Sequence, residues 1–319
     1  MQTISRAHAA GQTANLTARV CAFARRRRVA VTVAGSLATA ALLAFVVDSH
    51  RHEFAQALSS ASIWILLVAV VLQAVALLAR TESWHLTIEA AGGTVARRVL
   101  YRASSLQVLG GVVNGHLGVA VRIGALRRSS PQVSPQVPTL IAAEFPILAV
   151  EAGLAALTSF TLIGPLGLPW WFPLIAIAAV AVVCAGLRWL ARGKGRDLWN
   201  GLAVLRSARS GSRVVVLVLV AVFAQIFRNW MLLHGVGVHA SFFDAIAVLI
   251  AVVTLSQLPV GPSVGAAAAV LILGHDGVAG TAAAGLLLTV TGTIGGLCFA
   301  AWSGTDRIVM RHAARRHAM

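Results

Sequence analysis

An arginine inside an apolar run is the residue whose chemistry is plainest. Arg228 stands in QIFRNWMLL, within an apolar stretch over 214–233. At 1.5 Å per residue it lies roughly 21 Å from the start of that stretch. There a guanidinium costs from about 2.5 kcal/mol upward unless it is paired or hydrated. With Gln225 and Asn229 beside it, it forms a candidate anion site for a lipid phosphate, held by paired N–H donors. The alternative is that it snorkels to the outer head groups. Arg80, in RTESW at the inner end of a run over 61–79, holds a similar place and reads first as an interfacial anchor.

Glu144 and Glu151 are the complementary charges. Seven residues apart on an apolar run over 138–163, they fall on nearly the same face of a helix. Two carboxylates on a membrane-spanning face point to a polar interior, where they act as proton carriers or hold a cationic head group. One of them is expected to pair with Arg228. The plainer alternative is that they are neutral, or that each pairs with an arginine from another span. Pro146, between them, is expected to kink the helix.

Two glycine-rich interruptions complete the candidates. The first, GGVVNGHLG at 110–118, places Asn114 and His116 at a helix break; the second, LPVGPSVG at 258–265, does the same for Ser263. A broken helix offers unpaired N–H groups that attract phosphate, although a purely structural turn explains the same glycines. His50, His52 and Glu53 read as a solvated cluster, and Asp48 with Glu53 sits in a linker too short for a transferase site. Cys21, Cys184 and Cys298 show no metal or disulfide spacing, and no cofactor is expected.

These residues are carried by spans. Of the 319 residues 58% are hydrophobic and 11% charged, with mean hydropathy +0.83. A soluble domain carries about 25% charged residues, so a water-soluble enzyme is excluded. Apolar runs at 29–47, 61–79, 138–163, 170–187, 214–233 and 279–302 are each long enough to cross a bilayer core of about 30 Å. Segment 29–47 is longer than a signal-peptide core and lacks a cleavage site, so it reads as a retained span. Segments 99–121 and 242–273 are interrupted, and their arms are mostly too short to cross.

The net charge of +16 does not indicate nucleic-acid binding, because the basic residues lie between apolar runs rather than on one continuous face. They set orientation instead. Segments 1–28, 80–137, 188–213 and 303–319 hold 6, 7, 7 and 4 of the 26, and short basic loops are cytoplasmic. Both termini are then cytoplasmic. The expected architecture is an all-α polytopic membrane protein of six full transmembrane helices plus two re-entrant hairpins; eight transmembrane helices is the alternative. It divides into a basic cytoplasmic segment 1–28, one transmembrane domain 29–302 and a basic cytoplasmic tail 303–319. Within the domain, 29–163 and 170–302 repeat the order span, span, hairpin, span with opposite orientation. Inverted repeats with interrupted helices recur in transporters.

The run GVAVRIGALRR at 118–128 resembles the pattern G-E-x-x-R-x-x-x-L-x-R of a flippase-like family that includes the transmembrane domain of lysylphosphatidylglycerol synthases. Gly118, Arg122, Leu126 and Arg128 match it. Glu144 in AAEF falls where that family often opens a helix with an acidic residue, and PVGPSVG at 259–265 looks like its Pro-x-x-Pro-Gly-Gly-x-Gly turn, shortened by one. Leu117 replaces a proline of the pattern, Val119 its glutamate, and Ala266 to Ala269 stand where the second motif has a glutamate. The resemblance implies a cytoplasmic-membrane protein that moves a lipid or polyprenol-linked head group between leaflets, with Arg122 among the residues that meet it. The soluble aminoacyl-transferase domain is not expected, nor is synthesis of lysyl lipid. The partners expected are membrane lipids, above all an anionic or phosphate-containing one. A homo-oligomer or a complex with an envelope-biosynthesis enzyme stays open. The second functional reading is a non-transporting subunit that scaffolds such a complex; a membrane-embedded transferase ranks last.

Overall fold

Apolar segments in a bilayer must satisfy their backbone groups internally, which favours helices. Every regular element among the described residues of the computed structural model is helical. The structure describes residues 51–111, 115–129, 136–192, 201–256, 264–274 and 277–316. In chain order the α-helices are α1 (Arg51–Ser60), α2 (Ile63–Ala90), α3 (Arg97–Gly111), α4 (Gly115–Ser129), α5 (Val137–Ala142) and α6 (Phe145–Thr158). They are followed by α7 (Ile163–Leu166), α8 (Phe172–Arg192), α9 (Ala208–Gly235), α10 (Phe242–Leu255), α11 (Val264–Leu273) and α12 (Val278–Arg316).

Five stretches among these are long and apolar enough to cross a membrane: Ile63–Ala90, Val137–Leu166, Phe172–Trp189, Ala208–Gly235 and Val278–Gly304. They coincide with five of the six expected spans; the expected span 29–47 lies outside the described residues. The two interrupted segments form pairs of shorter helices that pack on one another, α3 on α4 and α10 on α11. At 1.5 Å per residue these four helices measure roughly 22, 22, 21 and 15 Å.

Local chemistry sets the boundaries. Helix α2 runs to Ala90 rather than ending near 79, because Trp84 and Ile88 give the added turns a buried apolar stripe. Gly92, at φ +87°, then closes it: the N–H groups of Gly92 and Gly93 donate to the carbonyls of Glu89 and Ile88. Gly237, at φ +82°, ends α9 in the same way. Pro146 does more than kink its helix. It has no N–H for the carbonyl of Ala142 and its ring would crowd that carbonyl, so α5 stops at Ala142 and α6 starts at Phe145. Ser241 and Asp244 form a reciprocal capping box at the start of α10. Helix α12 continues past residue 302, through the segment expected to be a tail, as far as Arg316.

Helices α2 and α9 pack together through Ala76, Ala79, Ala221 and Ala224, small side chains that let backbones approach closely. One core joins α9 to α12 through Leu232, Leu233, Ala247, Ala268, Ile272 and Leu287. A second joins α2 to α6 and α9 through Trp84, Leu100, Leu126, Leu140, Ile147 and Val218. Helices α11 and α12 cross at Gly265 and Gly285, where a Cβ on Gly265 would sit 2.7 Å from the carbonyl oxygen of Gly285. That crossing gives Gly265, the last residue of the interruption at 258–265, a packing role. Helix α8 lies at the edge, packed on α6, and none of the apolar window at Phe172–Trp189 is buried, as suits a surface turned to lipid.

Candidate functional site

The helix break at Pro146 creates the first charged contact. It leaves Glu144 at the start of α6, where its carboxylate forms an ion pair with Arg122 of α4. Both side chains are buried, at 1% exposure for Arg122 and 8% for Glu144. The guanidinium carbon of Arg122 also lies 3.9 Å from the ring centroid of Trp84 on α2, a cation–π contact strengthened by the absence of water. One side chain thus joins three helices. Removing either charge would strand the other in an apolar setting, at a cost far above the net value of the pair.

Seven residues further on, the carboxylate of Glu151 meets Arg80 of α2 at 2.9 Å. This pair is partly open, with 33% of Arg80 and 22% of Glu151 exposed. Because α2 extends to Ala90, Arg80 lies within the helix and not at its end. The expected pairing of Glu144 or Glu151 with Arg228 is corrected: each glutamate is taken by an arginine nearer in the fold.

Arg228 is left with a different environment. It is 5% exposed on α9, and Nη1 donates to Oε1 of Gln73 on α2. Among the described residues it has no carboxylate partner. The α12 glycines make the arrangement possible. A Cβ on Gly292 would lie 3.5 Å from Nη1 of Arg228, and one on Gly295 would lie 2.7 Å from Cγ of Gln73. Next to it Asn229 is 1% exposed. Its amide oxygen and nitrogen, together with Nε of Arg228, find no hydrogen-bond partner among the described residues. Unpaired buried amides are costly, and the Arg228 guanidinium with the two amide atoms of Asn229 has the chemistry to hold an anion and a hydroxyl group. Gln225, one turn earlier, is partly buried.

Of the other expected site residues, Asn114 and Ser263 lie outside the described residues, and so does the side chain of His116. Arg128 of the motif is exposed, while Leu126 is fully buried in the core. The structure adds contacts that the sequence reading missed. Gln73 is the only polar side chain in ILLVAVVLQAVALLA at 65–79, a signal available beforehand. Tyr101 of α3 donates its hydroxyl to Glu82 of α2, and Arg97 lies 3.6 Å from the same carboxylate. Arg102 donates through Nε to the carbonyl of Ser303 at 3.0 Å, and Tyr101 packs against Phe299 and Trp302. The continued helix α12 is thereby fastened to α3.

Residues 29–304 match the family model described as the lysylphosphatidylglycerol synthase TM region. No curated protein and no solved structure matches the chain.

Proposed function

The chain belongs to that family, a family of membrane proteins tied to lipid chemistry, and from this premise we propose that it moves a lipid or polyprenol-linked head group across the cytoplasmic membrane. The observation that carries the reading is the contrast among the inner arginines. Arg122 and Arg80 are neutralised by Glu144 and Glu151, whereas among the described residues Arg228 is held only by the neutral amide of Gln73. A buried cation without a counter-charge attracts a phosphate, and Asn229 supplies additional hydrogen-bonding atoms for the ligand. Glu144 and Glu151 then serve to hold the surrounding arginines in place rather than to neutralise the ligand.

The topology read here is six full transmembrane helices with two re-entrant hairpins, both termini cytoplasmic and the halves 29–163 and 170–302 inverted. The lengths of α3, α4, α10 and α11 support it, since each falls short of a bilayer core of about 30 Å. In this plan the hairpins and the Arg228 site lie where inverted repeats meet, the usual place for substrate in such transporters. We read the protein as acting without a covalent step, on an anionic or phosphate-containing lipid.

Reconstitution tests the proposal. Vesicles holding the purified protein should move a labelled phosphatidylglycerol between leaflets faster than protein-free vesicles, and faster than they move a labelled glucosyl diacylglycerol, whose head group is polar but lacks the phosphate. Equal rates for the two lipids would remove the phosphate from the mechanism.

A further inference from the structure

A groove of about 550 Å³ runs between α4 and α5, away from the Arg228 site. Its size falls within the range of ligand clefts, roughly 300–1,000 Å³. From α4 it takes Ala120, Ile123 and Gly124, and from α5 Val137 and Ile141. Residues 120, 123, 124, 127 and 128 follow helical spacing and so share one face of α4. The first three make an apolar wall; the last two, Arg127 and Arg128, place two exposed guanidinium groups at the C-terminal end of the helix. Neither arginine has an ion-pair partner among the described residues. Arg122 points from the opposite side of α4 into its pair with Glu144, which anchors α4 to the segment immediately after α5. The two walls are therefore tied together from behind.

A surface of this kind, apolar along its length and doubly cationic at one end, matches one ligand chemistry in a bilayer. We propose that the groove between α4 and α5 docks an anionic phospholipid, its phosphate on Arg127 and Arg128 and the first part of an acyl chain along Ala120, Gly124 and Ile141. A zwitterionic lipid satisfies the apolar wall equally well but carries a compensating cation at the charged end. The groove is a binding site in its own right and does not depend on whether the protein translocates lipid.

Native mass spectrometry of the purified full chain in detergent, supplied with phosphatidylglycerol or phosphatidylcholine of identical acyl chains, tests this. Two basic side chains beside an anionic lipid account for about tenfold or more in binding. In an Arg228→Leu background, which removes the other proposed phosphate site, phosphatidylglycerol should be retained about tenfold over phosphatidylcholine, and adding Arg127→Ala/Arg128→Ala should bring the ratio close to one. Arg127→Lys/Arg128→Lys should keep most of the preference. Both arginines are exposed, so these changes leave the packing intact. Arg209→Ala/Arg213→Ala, which removes two exposed arginines elsewhere, should leave the ratio unchanged, and Ile141→Trp, which fills the apolar wall, should lower retention of either lipid. The proposal is overturned if the Arg127/Arg128 alanine variant keeps the preference, or if the Arg209/Arg213 variant loses it equally. It is also overturned if free glycerol phosphate displaces the lipid at equal concentration, which would mean that the acyl wall contributes nothing.

Discussion

Arg122 and Glu144 form an ion pair with almost no exposed surface, although they sit on different helices and Glu144 lies at a break in its own. The pair closes α4 onto the start of α6 while the ring of Trp84 covers the guanidinium from α2. It also joins two of the positions that carry the family resemblance, Arg122 of the basic motif and Glu144 of AAEF.

Breaking the pair from one side should be worse than removing it. Arg122→Leu leaves a buried carboxylate without a partner, so it should destabilise the folded protein by about 3–5 kcal/mol. Arg122→Leu/Glu144→Leu should recover a large part of that loss. Thermal unfolding in detergent, followed by size-exclusion fluorescence, measures both, and the double variant should melt well above the single one. For Arg80 and Glu151, which stay partly exposed, the coupling should be no more than about 1 kcal/mol.

The glycines of α12 separate into two kinds. Gly285→Ala would press a methyl group into the backbone of α11 at Gly265 and Ala266, forcing the helices apart at a cost of about 1–3 kcal/mol. Gly292→Ala meets Nη1 of Arg228 only at ordinary van der Waals distance and should change the melting temperature little. Comparing the two melting curves checks the crossing directly.

Cysteine labelling reads the second hairpin. With α10 and α11 re-entrant from outside, cysteines at the exposed His239 and at Gly261 should not differ in sidedness, whereas a cysteine at Ser210 should label only from the cytoplasm. A Gly261 cysteine reached only from the cytoplasm would establish eight crossings and remove the inverted repeat.

Much of this architecture is legible from hydropathy alone. The runs at 61–79, 138–163, 170–187, 214–233 and 279–302 need no tertiary information, since water and lipid sort them by composition. The end of α2 is not legible in that way: beyond residue 79 polar and charged residues interrupt the apolar run, and only the buried stripe of Trp84 and Ile88 shows that it stays helical. The charged contacts divide similarly. The sequence indicates that Glu144, Glu151 and Arg228 must be accommodated inside the membrane domain. It does not say which arginine reaches which glutamate, because that depends on the helix break at Pro146 and on the position of Arg122 across the interface. Gln73 could have been singled out as a lone amide in an apolar run, yet nothing in its neighbours identifies Arg228 as its partner.

The central claim is that Arg228 receives the phosphate of a translocated lipid. Arg228→Leu removes the charge and the bidentate donors while making α9 more apolar and easier to insert. The variant should therefore reach the membrane in normal amount. The decisive measurement is the rate of phosphatidylglycerol translocation in vesicles reconstituted with equal amounts of wild-type, Arg228→Leu and Arg228→Lys protein. The account predicts that leucine abolishes translocation above the protein-free rate and that lysine, which keeps the charge but loses the planar fork, retains only part of it. Translocation by the leucine variant at the wild-type rate would contradict the account and remove Arg228 from the mechanism, whereas wild-type protein no faster than protein-free vesicles would leave the membrane-scaffold reading in its place.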